Sequence, residues 1–295
     1  MRARSILVSL ALVTAGAGCV APLLEPLEKP LVFRPRGIDE QHARTLLADY
    51  RQVEEVRVAT AEGVRLHGWL KHPARWNPAL PHPLVIVFGG IGQEVSEFVQ
   101  RAGNEDSSDA RWGWLMVNYR GFGFSDGSPS ERTVISDAKR IYDWAVARPD
   151  VDAANIVVLG RSLGSYVAIA VAASRKVRAA ILATPFDSAA ALGERLLYGL
   201  PVGWLMQDRY NPALLAPLVS APALFVLAEK DEVTPVKNGL ALARLWGGLA
   251  KTVLVPGAGH SGLEERPEFW RSVGDFLAAL EEPRVTPVRG SSTGR

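Results

Sequence analysis

The chain has 295 residues, of which 48% are hydrophobic, and its 33 lysines and arginines nearly balance its 31 aspartates and glutamates, for a net charge of +2. This length allows one large α/β domain, and the apolar fraction is sufficient for a core without disulfide bonds. The near-neutral charge, without a basic stripe carrying interleaved aromatic residues, argues against nucleic acid as a partner.

Residues 1–18 have the layout of a signal peptide. Two arginines precede a short apolar run at residues 6–13, and small residues follow at 15–18. The only cysteine, Cys19, comes directly after this segment. This placement resembles a bacterial lipoprotein signal, except at Gly16, where such signals usually have leucine, and the resemblance implies a lipid-anchored protein of the bacterial cell envelope. The alternative is ordinary cleavage after Ala17, which would yield a soluble exported protein with a free thiol.

After Cys19 the sequence predicts a tether and a first helix as far as residue 49, and then a rhythm of strands and helices over residues 50–282. The predicted strands are two antiparallel strands within 51–71, followed by 84–88, 112–119, 155–160, 177–186, 223–228 and 252–255. The predicted helices that alternate with them are 133–147, 166–173, 235–246 and 267–280. This rhythm predicts an α/β fold with a mostly parallel, doubly wound sheet.

Two segments interrupt or end this rhythm. Residues 187–219 lie between two predicted strands, are too long for a simple crossover helix and carry aromatic and aliphatic side chains. They predict a helical cap, whose apolar residues pack on the domain, line an acyl pocket or rest on a membrane. Residues 283–295 are rich in glycine, serine, arginine and proline, which predicts a disordered tail.

A candidate nucleophile lies in Gly160-Arg161-Ser162-Leu163-Gly164, which fits the G-x-S-x-G pattern between a β-branched strand and an alanine-rich helix. In this context the serine must sit on a tight, strained turn with its hydroxyl projecting, so the flanking positions must lack bulk. The start of the following helix directs backbone N–H groups towards developing negative charge. Ser162 is therefore the predicted nucleophile.

A serine nucleophile needs a histidine base and a carboxylate that orients the histidine. Of the five histidines, His260 is the one that directly follows the last predicted strand, and Asp231 follows the strand at 223–228. Ligands of open α/β sheets bind beyond the carboxyl ends of the strands, where Ser162 is also expected. His260 is thus the predicted base and Asp231 the predicted acid, with two neighbouring carboxylates as alternatives, Glu229 and Glu232.

Stabilising an oxyanion requires backbone N–H donors. The predicted donors are Leu163, which follows the nucleophile, and Gly90, in the glycine-rich turn after the strand at 84–88. Glycine there lets the backbone approach a substrate closely, although a plain turn would have the same composition. No histidine or carboxylate cluster has the spacing of metal ligands, so the sequence predicts neither a metal nor a cofactor.

The segment 119–131, with the sequence YRGFGFSDGSPSE, resembles the signature of the Bem46-like α/β-hydrolases, a group related to the acyl-protein thioesterases. The turn at 160–164, the acid loop at 229–235 and the histidine loop at 257–260 are also similar to segments of this group. The resemblance runs from about residue 53 to residue 280. It implies an α/β-hydrolase fold and a catalytic triad formed by Ser162, Asp231 and His260.

The sequence departs from the group at Phe88-Gly89-Gly90, where the group usually has His-Gly-Asn. A phenylalanine there could make the acyl side of the pocket more apolar. The resemblance implies a serine hydrolase that cleaves carboxylic ester or thioester bonds of a small-molecule or acyl substrate. The alternatives are a serine peptidase or amidase of the same fold, and a non-catalytic envelope lipoprotein that uses the fold for binding.

Overall fold

The computed structural model describes residues 33–103, 110–188 and 210–281 of the chain. Its strands are β1 (Val53–Ala59), β2 (Arg65–Lys71), β3 (His82–Phe88), β4 (Gly113–Val117), β5 (Val151–Arg161), β6 (Ala179–Ala183), β7 (Ala223–Ala228) and β8 (Ala250–Val255). They form one sheet in the order β1-β2-β4-β3-β5-β6-β7-β8. The β1–β2 and β2–β4 pairs are antiparallel and the other pairs are parallel, which confirms the predicted architecture.

Helices cover both faces of the sheet, and each face has its own cluster of buried side chains. The helices are α1 (Glu40–Asp49), α2 (Glu131–Val146), α3 (Leu163–Ala172), α4 (Pro212–Leu215), α5 (Val236–Leu245) and α6 (Pro267–Glu281). Side chains of α2, α3 and α5 belong to one cluster, and those of α1 and α6 to the other. Sandwiched strands of this kind are near-continuous apolar runs, as the sequence of β3 to β7 indicated.

The ends of several elements differ from the predictions. The strand β5 begins at Val151, earlier than predicted, because Val151 pairs with His82 before a register irregularity. The same pairing starts β3 at His82, two residues before the predicted start at residue 84. Ser130 caps α2, since its hydroxyl accepts a hydrogen bond from the Thr133 amide, and the helix begins at Glu131, two residues before the predicted start.

Several predicted segments lie outside the described residues: the signal peptide at 1–18, Cys19 with the start of the tether, and the tail at 283–295. The predicted first helix is present as α1. Of the predicted cap at 187–219, the structure describes only the two ends, where α4 is followed by a 3-10 turn at Ala216–Leu218. Among the described helices, none combines the length and apolar character needed to cross a bilayer.

His67 on β2 is fully buried, and we expect it to make the fold sensitive to acid. Burial, with a smaller contribution from the charge of Arg57, lowers the pKa of His67 from its usual 6.5 to about 4. Between these pH values the unfolded chain binds a proton that the folded chain does not, so the free energy of unfolding falls as the pH falls. His67 alone should remove about 2 kcal/mol between about pH 7 and pH 4.5.

Urea unfolding at both pH values measures this loss, and His67→Phe is the matched variant. A phenyl ring keeps the edge-on contacts that the imidazole makes with Trp69 and Phe124, but it cannot take up a proton. We expect the loss on acidification to be smaller in the variant by about 2 kcal/mol. An equal loss in both proteins would show that His67 is not the group responsible.

Candidate active site

Ser162 occupies the tight turn between β5 and α3, at the carboxyl end of β5. Its φ of +52° and ψ of −117° lie outside the regions that non-glycine residues favour. Two hydrogen bonds hold this conformation: the Ser162 amide donates to the Ala183 carbonyl at 2.9 Å, and the Ser165 hydroxyl donates to the Ser162 carbonyl at 2.6 Å. The surroundings therefore maintain a strained backbone from which the serine hydroxyl projects.

The glycines on both sides of Ser162 are required by close backbone contacts. A Cβ atom at Gly160 would lie 2.6 Å from the Ser165 Cα, and one at Gly164 would lie 2.6 Å from the Gly89 carbonyl oxygen. At Gly164 it would also overlap the carbonyl of Phe88, the last residue of β3. These contacts are the physical reason for the small flanking residues that the sequence pattern indicated.

The structure brings Ser162, Asp231 and His260 together. The Ser162 Oγ lies 3.1 Å from the His260 Nε2, and the His260 Nδ1 lies 2.9 Å from one Asp231 carboxylate oxygen and 3.1 Å from the other. The three side chains come from the loops that follow β5, β7 and β8, so they meet at the carboxyl edge of the sheet. A carboxylate on Nδ1–H leaves Nε2 free to accept the serine proton.

Asp231 is buried and remains the anionic member of this group. Burial acts to raise its pKa, but the hydrogen bond and charge of His260 act in the opposite direction, together with donors from Thr234, and the net effect lowers the pKa below its usual value. The backbone amides of Val233 and Thr234 donate to Oδ1 at 2.9 and 2.6 Å. By contrast, the Glu229 carboxylate accepts a hydrogen bond from the Gly257 amide at 2.8 Å, whereas the carboxylate at hydrogen-bond distance from His260 is that of Asp231.

Thr234 is a site residue to which the sequence analysis assigned no role. Its hydroxyl donates to Asp231 Oδ2 at 2.8 Å and lies 3.1 Å from His260 Nδ1. The same hydroxyl is 3.2 Å from the carbonyl of Thr184, at the end of β6. Thr234 thus fixes the orientation of the carboxylate relative to the imidazole. It lies in the acid loop that carried the resemblance, which was the one available signal.

Arg161, next to the nucleophile, joins the serine turn to the histidine loop. Its Nη2 donates to the carbonyl of His260 at 2.7 Å, and its Nε lies 2.8 Å from Glu264 Oε1. Both side chains of this ion pair are almost fully buried. Breaking such a pair leaves an uncompensated charge in a poorly solvated place, which is strongly destabilising. No local pattern in the sequence indicates this contact.

The two predicted oxyanion donors lie on either side of the serine turn. Leu163 is the first residue of α3, and an N–H at that position has no acceptor within its own helix. Gly90 packs on the turn from the β3 side, since a Cβ atom there would lie 3.3 Å from the Arg161 carbonyl oxygen. The Gly90 amide donates to the side chain of Gln93 at 3.0 Å. Phe88 is fully buried in the core, so it lines no open acyl pocket.

A polar cavity of about 310 Å³ adjoins the site. Its walls include Arg161 and Ser261, the neighbours of the nucleophile and of the histidine, and Gln93 of the oxyanion turn. Three arginines and three glutamates contribute to it, so its charges balance: Arg36, Arg101, Arg161, Glu97, Glu264 and Glu265. As for metals, residues 33–103, 110–188 and 210–281 contain no group of three or more candidate ligand side chains arranged around one point.

The chain is similar in sequence to hydrolase-fold proteins over most of its length. The family model described as alpha/beta hydrolase fold matches residues 83–203, and that of TAP-like proteins matches residues 192–288. An uncharacterized protein of Mycobacterium tuberculosis is 30% identical over 271 residues, covering 89% of this chain and 90% of the relative. Protein bem46 of Schizosaccharomyces pombe is 28% identical over 173 residues, covering 56% of this chain and 57% of the relative.

Solved structures with the same fold include esterases. An esterase of Pyrococcus furiosus has a TM-score of 0.63 at 19% identity, covering 83% of this chain and 96% of that chain. Est1E of Butyrivibrio proteoclasticus, solved with ferulic acid bound, has a TM-score of 0.60 at 17% identity, covering 76% of this chain and 98% of that chain. At these identities the similarity establishes a common fold.

Proposed function

Because this chain belongs to the α/β-hydrolase superfamily, with the predicted Bem46-like resemblance confirmed, we propose that it is a serine hydrolase of carboxylic esters or thioesters. The observation that carries the proposal is the continuous contact from serine to imidazole to carboxylate. Ser162 Oγ is 3.1 Å from His260 Nε2, and His260 Nδ1 is 2.9 Å from Asp231 Oδ2. A binding protein would have no need of this arrangement, nor of a strained serine.

The first half of the proposed reaction forms an acyl-enzyme. His260 Nε2 takes the proton of the Ser162 hydroxyl while Oγ attacks the carbonyl carbon of the substrate. The carbonyl oxygen becomes an oxyanion and accepts hydrogen bonds from the backbone amides of Leu163 and Gly90. When the oxyanion collapses, the bond to the alcohol or thiol breaks, and the imidazolium returns the proton to the leaving group.

The second half releases the acid. Water enters, His260 removes its proton, and the resulting hydroxide attacks the acyl carbon. The second oxyanion uses the same two amides and collapses to a carboxylic acid, with the proton returning to Ser162. Throughout both halves the Asp231 carboxylate stabilises the imidazolium and keeps Nδ1 protonated, which its lowered pKa favours.

The test is to treat the purified full-length chain with a fluorophosphonate probe and to locate the adduct by mass spectrometry. A panel of p-nitrophenyl esters from acetate to long acyl chains, with the matching thioesters, then defines the preferred substrate. We expect one phosphonylated residue, Ser162, and hydrolysis with an optimum at one chain length. An adduct at another residue, or none on the folded protein, would refute the proposal and favour a binding lipoprotein.

A labelled protein that cleaves neither esters nor thioesters would keep the nucleophile and move the substrate class to amides. Peptide p-nitroanilides are the probes for that outcome. An amide leaving group must be protonated before it departs, so such an enzyme would depend more strongly on His260 as a general acid.

We propose in addition that residues 1–18 export the chain and that Cys19 carries a lipid that holds the enzyme at the cell envelope. The support is the order of basic, apolar and small residues before the only cysteine of the chain. An envelope location would give the enzyme access to acyl substrates presented at a membrane.

A further inference from the structure

We propose that Gln93 occupies one oxyanion donor of the free enzyme and that the substrate must displace it. The Gly90 amide, one of the two proposed donors, donates a hydrogen bond of 3.0 Å to the side-chain oxygen of Gln93. That oxygen is a neutral amide carbonyl, and is therefore the same kind of acceptor as the carbonyl of an ester or amide substrate. The inference rests on the proposed function, since it concerns the same site.

The position of Gly90 makes this contact relevant to catalysis. A Cβ atom at Gly90 would lie 3.3 Å from the carbonyl oxygen of Arg161, the residue before the nucleophile. Gly90 follows β3 and Ser162 follows β5, and these two strands are paired neighbours in the sheet. A backbone N–H that already has an acceptor cannot donate fully to an oxyanion. Gln93 thus competes with the substrate oxygen for the Gly90 donor. In the free enzyme, the Gln93 side-chain oxygen occupies this donor.

Gln93 is free to leave this position. Its side chain is only partly buried, and among the residues that the structure describes its one other side-chain hydrogen bond is weak, from Nε2 to Glu97 Oε2 at 3.4 Å. Glu97 is itself exposed and shared with Arg36 at 3.4 Å. The polar cavity of about 310 Å³ begins at Gln93 and offers space and hydrogen-bonding partners for the displaced amide.

The test compares Gln93→Met with Gln93→Glu on an alkyl p-nitrophenyl ester that the wild type hydrolyses. Methionine has a similar length and volume but no strong acceptor, so it frees the amide. We expect Gln93→Met to raise kcat/KM by about 2- to 10-fold, the worth of one neutral hydrogen bond. The affinity for a trifluoromethyl ketone, whose adduct with Ser162 places an oxyanion at the donors, should rise by the same factor.

Gln93→Glu should have the opposite effect, because a carboxylate is a stronger acceptor than an amide. We expect a kcat/KM lower than that of the wild type and weaker binding of the ketone. Gln100→Met is the matched control, because Gln100 is exposed and follows the 3-10 turn at Val95–Phe98, and it should match the wild type.

A purely structural role for Gln93, as a clamp on the turn, would lower kcat/KM in both variants, and this result overturns the proposal. So does a Gln93→Met value within 1.5-fold of the wild type. Should Gln93→Met fail to fold, Gln93→Leu takes its place, because leucine also lacks an acceptor, and a kcat/KM equal to or below that of the wild type then contradicts competition. Failure of the proposed function is separate: it appears as a wild type that does not hydrolyse the ester.

Discussion

Replacing Ser162 with alanine is expected to lower kcat for ester hydrolysis by about 10⁴- to 10⁶-fold and to abolish fluorophosphonate labelling. The Ser162 Oγ is the only atom of the site that bonds covalently to the substrate in the proposed reaction, and its proton is the one that His260 Nε2, 3.1 Å away, removes when the acyl-enzyme forms. The measurement is initial rates with the preferred p-nitrophenyl ester, corrected for spontaneous hydrolysis. Ser174→Ala, a serine just beyond the other end of α3, is the control and should retain full activity.

Asp231→Asn tests the same assembly from its other end. The amides of Val233 and Thr234 donate to Oδ1, so an asparagine keeps its oxygen there and turns its NH₂ group towards His260 Nδ1. That NH₂ group donates to Nδ1 and favours the imidazole tautomer that carries its proton on Nε2. We expect kcat to fall by about 10⁴-fold while the fold is retained. If either variant keeps more than about a hundredth of the wild-type rate, another group performs the hydrolysis and the assignment of Ser162, Asp231 and His260 is wrong.

Gly164→Ala is expected to destabilise the protein by at least about 3 kcal/mol, because the new methyl group overlaps backbone atoms that cannot rotate away. Those atoms are the carbonyls of Phe88 and Gly89, at the carboxyl end of β3, whose residues 84–88 are fully buried. To accommodate alanine, the start of α3 must move from β3, and Ser162 moves with it. Urea unfolding measures the loss of stability, and the soluble yield reports on folding.

The comparison variant for that experiment is Gly37→Ala. Gly37 is exposed, has no positive φ, and a Cβ atom there would meet only the carbonyl of Gly123 at 3.9 Å. Its free energy of unfolding should stay within about 0.5 kcal/mol of the wild type. A Gly164→Ala protein of equal stability would mean that the contact between α3 and β3 is looser than the structure describes.

The fold was predictable from the sequence because its signals are local. Central strands buried on both faces, such as β3 and β7, are continuous apolar runs, and a glycine or a polar turn ends each of them. The residues of the candidate site were predictable for a related reason. Ser162, Asp231 and His260 each directly follow a strand, and parallel strands bring their carboxyl ends to one edge of the sheet.

The contacts that surround these residues were not predictable, because they depend on loop conformations that no periodic pattern encodes. Thr234 reaches Asp231 through a turn of its own loop, and Glu264 meets Arg161 across a large separation in the chain. The bond from Gly90 to Gln93 likewise depends on the turn that follows β3. Strand limits shifted where one irregular pairing, between His82 and Val151, extended both β3 and β5.

Arg161, beside the nucleophile, connects the serine turn directly to the loop that carries His260. In the sheet, β6 and β7 lie between β5, which ends at Arg161, and β8, which leads to His260, and twist accumulates from strand to strand. If β8 alone positioned His260, any shift of β6 or β7 would change the distance between His260 and Ser162. Arg161 Nη2 donates to the His260 carbonyl at 2.7 Å, so the position of His260 is fixed relative to the end of β5, which also positions Ser162. Small movements of β8, or substitutions within it, should therefore change the distance between Ser162 Oγ and His260 Nε2 less than they would without this hydrogen bond.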